Sequence, residues 1–262
     1  MEHAKGQVSG SAAEIYESFF LPALFSEWAA RSVARARLEP GQSLLDVACG
    51  TGAVAREAKK RISACRVIGL DRNDGMLRVA RSRAPDIEFR EGRAESLPWD
   101  DGTFDAVTCQ FGLMFFEDRA RALSEMWRVL RRGGTLVIAV WASLEDTPGY
   151  AAMVALIQRL FGAEVASELR VPYCLGDRRE LLRLLDGAGI SAPDIETPTG
   201  IARFPSIDAW VHTDVRGWTL ADRIDDAEYA VLLKEARTEL SRFAPVEEVS
   251  FESPAHIAVA RK

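Results

Sequence analysis

The stretch LLDVACGTGAVA, Leu44 to Ala55, sets an aspartate at the end of an apolar run and follows it with a glycine-rich elbow. Gly50 and Gly52 allow a tight turn and let a ligand approach the backbone with no Cβ in the way. The helix that opens at Ala53 adds N–H donors and a partial positive charge. In open α/β sheets ligands sit beyond the carboxyl ends of the strands, where the strand order reverses, and this elbow falls in that place.

Two ligand chemistries compete for it. Gly50-Thr51-Gly52-Ala53-Val54-Ala55 fits the GxGxxG/A fingerprint of dinucleotide binders, and Asp71 follows Gly52 at close to the ~20-residue offset of a ribose-binding acid. Asp71 serves any ligand with a ribose diol. Asp46 separates the two readings. A carboxylate there repels a nearby pyrophosphate but suits a cation, directly or through water. S-adenosyl-L-methionine carries an ammonium, a sulfonium and a ribose diol, and no phosphate. It is the better match, with the elbow amides free for its carboxylate or lining its path.

Other residues that could do chemistry say less. His3 lies in the N-terminal tail, His212 on a polar helical stripe with Asp208 and Arg216, and His256 in the closing strand; all three read as structural or solvated. Tyr16 and Trp28 offer π faces that stabilise a sulfonium, or pack as plain core. Phe111, Phe115 and Phe116 follow the fourth strand, where an apolar acceptor pocket would form, although core packing accounts equally for the latter two. Cys109 reads as a buried strand residue. The four cysteines form no CxxC pair and no histidine completes a zinc spacing, so no structural metal is expected.

The elements that must position these residues are legible. Strand-like runs at Ser43–Val47, Arg66–Leu70, Ile87–Arg90, Phe104–Thr108 and Thr135–Trp141 alternate with helical runs near Ala53–Arg61, Asp74–Arg83 and Asp118–Leu130. In the last helix Ala120, Leu123, Trp127 and Leu130 share a face, and Gly133-Gly134 stops it as a C-terminal cap. TLVIAVW is apolar throughout, as in a central strand of a parallel sheet. Strand–helix alternation of this kind gives a doubly wound α/β sheet. Before it, the segment from Ala12 to Leu38 reads as two helices broken near Pro22. After it come helices in TPGYAAMVALIQRLFG and GDRRELLRLLDGAG, and a strand near Asp194–Phe204. A helical stretch over Ser206–Phe243 then acts as a lid, and two short strands flank Ser253-Pro254. One domain is expected over 1–262, with N-terminal helices in 1–37, a cofactor-binding core in 38–141 and a substrate side in 142–262 that contains the 206–243 lid.

The 262 residues, 48% hydrophobic and 27% charged, have an ordinary globular composition. No apolar run is long enough to span a bilayer, and MEHAKGQVSG lacks a signal-peptide pattern; a cytoplasmic location is expected. A formal net charge of -6 argues against a nucleic-acid partner.

Four blocks occur in order: LLDVACGTG, VIGLDRNDGML, GRAESLPWDDGTFDAVTCQFGL and EMWRVLRRGGTLVIAVW. Together, from about Leu38 to Trp141, they resemble the class I S-adenosylmethionine-dependent methyltransferases, most closely the branch with the ubiquinone and menaquinone biosynthesis C-methyltransferases. The resemblance implies a Rossmann-like, mainly parallel sheet of seven strands with the last antiparallel, which suits the closing HIAVARK. It places the methionine moiety near Asp46, Ala48 and Gly50, with Gly52 completing the elbow. Asp71 would take the ribose hydroxyls, Arg72 and Met76 would flank the adenine, and Ala94 and Glu95 would edge it. Gln110 and Phe111 would stand near the sulfonium, with aromatics such as Tyr16 and Trp28 closing over the site. Two departures stand out: Ala48 replaces the first glycine of the common pattern, and Arg93 replaces an aspartate that often binds the adenine amino group, leaving Glu95 to take that role or the contact to be lost.

Methyl transfer from a sulfonium is an in-line displacement that needs a base only if the acceptor must lose a proton, so no catalytic residue is assigned. The tetrapeptide of an acidic or asparagine residue, two prolines and an aromatic, usual in base-modifying enzymes, is absent from CQFGLMFF. The expectation is therefore methyl transfer from S-adenosyl-L-methionine to the carbon or oxygen of a small, apolar or aromatic acceptor, with S-adenosyl-L-homocysteine as product. An NAD(P)-dependent oxidoreductase, disfavoured by Asp46 and by the lack of a Tyr-x-x-x-Lys pair, and a cofactor-binding protein without methyl transfer are the alternatives.

Overall fold

A computed structural model describes residues 10–217, 220 and 222–262, with the side chains of 10–12 left aside. The chain starts with α1 (Gly10–Ile15), a π-helical segment (Tyr16–Phe25) and α2 (Ser26–Ala36). It then alternates through β1 (Ser43–Val47), α3 (Ala53–Arg61), β2 (Arg66–Asp71), α4 (Asp74–Arg83), β3 (Glu88–Glu91), β4 (Phe104–Gln110), α5 (Arg119–Val129) and β5 (Leu130–Trp141). Three helices follow, α6 (Pro148–Phe161), α7 (Ala163–Arg170) and α8 (Arg178–Gly187), then β6 (Asp194–Glu196) and β7 (Thr199–Phe204). α9 (Ile207–Arg216), α10 (Asp226–Glu239) and β8 (Val249–Arg261) close the chain.

The strand order is β3-β2-β1-β4-β5-β8-β6, with β7 paired to β8 off this path. β3, β2, β1, β4 and β5 run parallel, and β8 runs antiparallel to β5. Every residue of β4 up to Cys109 is buried, as is all of β1 after Ser43; burial on both faces of a strand means helices cover both sides of the sheet. This is the doubly wound, mainly parallel architecture expected, its seven-strand path extended by β7. The strand order reverses between β1 and β4, so the carboxyl ends of these two strands, Asp46–Val47 and Cys109–Gln110, open onto the crevice where ligands bind.

Four local expectations change. Pro22 does not break the N-terminal helix: the Ser26 amide reaches back five residues to the Leu21 carbonyl, so the chain widens into π-helical spacing that accepts the proline ring. Gly133-Gly134 is not a helix cap, because α5 ends at Val129 and both glycines lie within β5. The buried face of α5 is Ala122, Leu123, Met126 and Val129, with Ala120 exposed. The two closing strands are one, β8, which changes partner around Pro254: Pro254 pairs with Thr199 of β7 and Ala255 with Trp141 of β5. The missing proline N–H falls at that changeover, while its carbonyl still accepts from the Ala142 amide at 3.0 Å. Trp218, within the expected 206–243 lid, lies outside the described residues. No helix among the described residues is long and apolar enough to cross a membrane.

Candidate functional site

The carboxyl ends of β1 and β4 are bent by unusual backbone. Ala48 and Phe111, the residues after each strand's turn begins, are non-glycine residues with φ of 55° and 53°. Such conformations cost of order 1 kcal/mol each and cluster at ligand sites. The two loops touch: a Cβ on Gly112 would come within 2.5 Å of the Ala48 Cβ, so only glycine fits there.

The elbow amides are occupied within the protein. Cys49 N–H donates to the Leu70 carbonyl at 3.0 Å and Gly52 N–H to the Cys49 carbonyl at 2.8 Å. Gly50 N–H donates to Asp71 Oδ2 at 2.8 Å, and Asn73 N–H donates to Asp71 Oδ1 at 2.9 Å. The elbow therefore fixes the Asp71 carboxylate and does not present these three donors to an anion; of the two expected roles, free for a ligand's carboxylate or lining its path, the first does not hold for them.

Asp46 is 1% exposed. Thr108 Oγ1 donates to its Oδ1 at 2.9 Å across the β1–β4 pair, and Oδ2 has no partner among the described residues. Burial pushes its pKa up to about 7, against the pull of the Thr108 hydroxyl and the nearby Ala55 amide. Burial also raises Asp71, opposed by the amides of Asn73 and Gly50. The Tyr16 hydroxyl is pushed far above its ordinary range by burial and then by Asp71, Glu17 and Asp46. Two carboxylates thus share one buried place beside a neutral tyrosine hydroxyl, and their field, once they ionise, favours a cation.

Tyr16 is held there by its neighbour: Glu17 accepts from Arg56 of α3 at 2.9 and 3.2 Å, and Arg56 also donates to the Thr51 carbonyl at 2.6 Å. On the opposite wall Ser32 Oγ donates to Gln110 Oε1 at 3.0 Å. Phe111 stacks on Trp141 with centroids 3.8 Å apart, and Phe25 packs against both. At the far end Arg93 bridges Glu117 at 2.8 Å and Glu95 at 3.5 Å, while Arg72 reaches Glu117 at 3.3 Å. Glu95 Oε1 in turn accepts from the Glu117 amide at 3.3 Å. Arg93 is thus tied into an ion network with Glu95, the residue considered for the role of the missing aspartate.

Eleven of the thirteen residues singled out in the sequence line a single pocket: Tyr16, Asp46, Ala48, Gly50, Asp71, Arg72, Met76, Ala94, Glu95, Gln110 and Phe111. Gly52 and Trp28 do not. Gly52 precedes α3 with φ of 85°, and a Cβ on it would lie 2.9 Å from the Phe89 ring, so it serves backbone shape and packing. Trp28 is fully buried, edge-on to Phe111 and Trp141 at 5.8 Å, and supports the aromatic wall from behind. The pocket also takes in Phe25, Asn73, Arg93, Phe115, Phe116 and Trp141. Trp141 was findable, since it ends a strand at the same sheet edge; Phe25 was not, because nothing local marks which helical aromatic turns inward. His256 holds loops together instead: Nε2 meets the Gly176 carbonyl at 2.9 Å and Nδ1 the Thr197 hydroxyl at 2.8 Å.

Residues 45–138, which carry β1 to β5 and most of this pocket, match the family model described as "Methyltransferase domain". The match covers that core and not the helices before and after it. A demethylmenaquinone methyltransferase of Deinococcus radiodurans is 40% identical over 138 residues, 51% of this chain and 55% of that protein. A ubiquinone/menaquinone biosynthesis C-methyltransferase of Bordetella avium is 42% identical over 116 residues, 42% of this chain and 45% of that one. The chain spans about half the length of the curated relatives it matches. A solved Haemonchus contortus phosphoethanolamine N-methyltransferase 2, in complex with phosphomonomethylethanolamine and S-adenosylhomocysteine, superposes with a TM-score of 0.62 at 18% identity. The superposition covers 97% of this chain and 57% of that one, and it is a likeness of fold. The matched segment thus spans the sheet from β1 to β5, and the pocket lies at the edge where the strand order reverses.

Proposed function

We propose that the protein transfers a methyl group from S-adenosyl-L-methionine to the carbon or oxygen of a small aromatic or apolar acceptor. The observation that carries this is Asp46 Oδ2, a buried carboxylate oxygen with no partner, facing a pocket whose nearest elbow amides are already used. A dinucleotide needs the reverse, donors free for a pyrophosphate and no carboxylate beside them.

Asp46 would pair with the ligand's ammonium, with Tyr16 above it. Asp71, held by the Gly50 and Asn73 amides with lone pairs to spare, would accept from the ribose hydroxyls. Met76, Ala94 and Arg72 would enclose the adenine, with Glu95 at its edge. Ala48 and Gly50 would let the methionine chain lie close to the backbone, and Gln110 and Phe111 would face the sulfonium. When bound, the cofactor supplies an electrophilic methyl group; the protein's part is to exclude water and to hold the acceptor in line, ~3 Å from that methyl. The aromatic wall of Phe25, Phe111 and Trp141 suits a flat, apolar acceptor. The names of the relatives from Deinococcus radiodurans and Bordetella avium point to a quinone-type ring for this chain as well.

Calorimetric titration with S-adenosyl-L-homocysteine, and separately with NAD and NADP, tests the reading. Binding of the thioether alone is the expected result, and binding of a dinucleotide in its place would overturn it.

A further inference from the structure

Among the described residues, two buried carboxylate oxygens lack a partner, and Asp46 supplies only one of them. The other is Oδ2 of Asp214, on α9, in a residue 1% exposed. Its Oδ1 accepts from the Tyr150 hydroxyl of α6 at 3.0 Å. Phe204 and Phe251 pack around Tyr150 and Trp210 and have no donor to offer Oδ2. Asp214 borders a cavity of about 20 Å³, lined also by Tyr150, Tyr173, Phe25, Trp141 and Leu169. Phe25 and Trp141, 5.8 Å apart, line the elbow pocket as well, so these two rings are the partition between the spaces.

We propose that this cavity seats one internal water molecule, which hydrogen-bonds Asp214 Oδ2 and joins α9 to α6 and to the 3-10 turn Val171–Tyr173 behind the partition. The site is independent of what the elbow pocket binds. Size limits the occupant first: one water needs ~10–15 Å³ of cavity, so a single water fits here and an organic ligand does not. Chemistry limits it next. A magnesium or calcium ion takes about six or more oxygen ligands, whereas the lining has three oxygen-bearing side chains, Asp214 being the one acid among them. No cationic side chain is among the lining residues, so an anion has no partner there.

Water also serves the acid in both of its states, accepting from the protonated carboxyl and donating to the carboxylate. Both states matter, because burial pushes Asp214 up to about 8, with the Tyr150 hydroxyl and the Trp210 indole pulling the other way. Tyr150 and Tyr173 are the titratable groups facing it among the described residues, and burial and the Asp214 charge raise both. They stay neutral hydroxyls, able to donate to the water or accept from it. A buried oxygen without a partner costs the full desolvation of the group. Internal waters are held where about two to four hydrogen bonds relieve such a cost, and Asp214 and the two tyrosines supply that number.

A high-resolution crystal structure of the full chain, at pH 6 and at pH 9, tests the site. At both pH values one density peak is expected about 2.6–3.2 Å from Asp214 Oδ2 and from a tyrosine hydroxyl. The same crystals under xenon pressure should show no xenon in this cavity, because xenon enters apolar cavities that hold no water. In solution a long-lived water should give a cross-relaxation peak to the Tyr150 ring protons. Asp214→Val combined with Tyr150→Phe removes the anchor without leaving a hydroxyl unpaired; the water should be lost and xenon should bind in its place. Asp214→Asn, which keeps an acceptor for Tyr150 and turns a polar atom toward the cavity, should retain the peak, and it decides the matter if the double variant does not fold. Absence of the peak from the wild type or from Asp214→Asn, xenon in the wild-type cavity, or a peak that persists in the double variant would overturn the site.

Discussion

Consider Asp46→Asn, a substitution that keeps an oxygen to accept from Thr108 and removes the charge. In the native protein burial holds Asp46 at about 7 against an ordinary value of 3.8. Between those two values the unfolded chain has lost the proton and the native chain keeps it, so stability falls as pH rises. The slope is ~1.4 kcal/mol per pH unit, and the accumulated loss at pH 7 and above is about 4 kcal/mol. Asparagine carries no such loss, though its amide N–H groups take the position of Oδ2 at a pH-independent cost of ~1–3 kcal/mol. The variant should therefore gain on the wild type by about 3 kcal/mol between pH 5 and pH 8, a difference in Tm moving by roughly 6–12 °C. Asp71 and Asp214 are present in both proteins and cancel. Thermal unfolding at pH 5, 6, 7 and 8 without ligand measures it. The same variant should bind S-adenosyl-L-homocysteine at least about tenfold more weakly above pH 7. Wild-type affinity should drop about tenfold per unit below pH 7, because Asp46 must first lose its proton. A stability difference that stays flat from pH 5 to 8 would refute burial of an unpaired carboxylate as the cause.

Two further outcomes separate scaffold from site. Gly52→Ala places a Cβ 2.9 Å from the Phe89 ring at φ of 85°. It should cost ~1–3 kcal/mol in urea unfolding, with a smaller effect on thioether affinity than Asp46→Asn. Glu125, 5% exposed, accepts from the Leu97 amide and from Arg128, whose hydrogen bond lowers its pKa most. A depressed carboxylate stabilises above its unfolded value of 4.5 and loses that contribution as pH falls through its folded value. Glu125→Gln should therefore destabilise by ~1–3 kcal/mol at pH 7, a difference that shrinks as pH falls through the folded value.

Local patterns in the sequence carried the sheet and the elbow because both are written in contiguous residues. The apolar runs of β1, β2 and β4 and the glycines after Asp46 need no long-range information. The errors share a physical origin, a local signal overruled by a partner distant in sequence. Gly133-Gly134 has the composition of a helix stop, yet β4 and β8 on either side draw it into β5. Pro254 reads as a strand break until β7 is there to take over the pairing. Trp28 offers a π face at helical spacing, and only the fold shows its ring edge-on to the stacked Phe111 and Trp141 with the Arg31 guanidinium 4.5 Å from its centroid. Nothing in the sequence singled out Asp214. Its meaning depends on Tyr150, 64 residues away, and on a cavity that the sequence does not describe.

Burial alone does not separate the buried acids; a guanidinium partner does. Glu125 is buried and takes an amide and an arginine, and its pKa goes down. Asp105 is buried and takes the Ser43 amide and hydroxyl and the Arg131 guanidinium. Asp46 and Asp214 are buried more deeply than either, receive one hydroxyl each, keep one oxygen unpaired, and are pushed up to about 7 and about 8. An unpaired buried carboxylate costs stability that asparagine or an apolar residue would recover. Residues under no other demand have no physical reason to remain in that state, and perturbed acids of this kind concentrate where ligands bind. They stand on the two sides of the Phe25–Trp141 partition, one toward the elbow and one toward the second cavity.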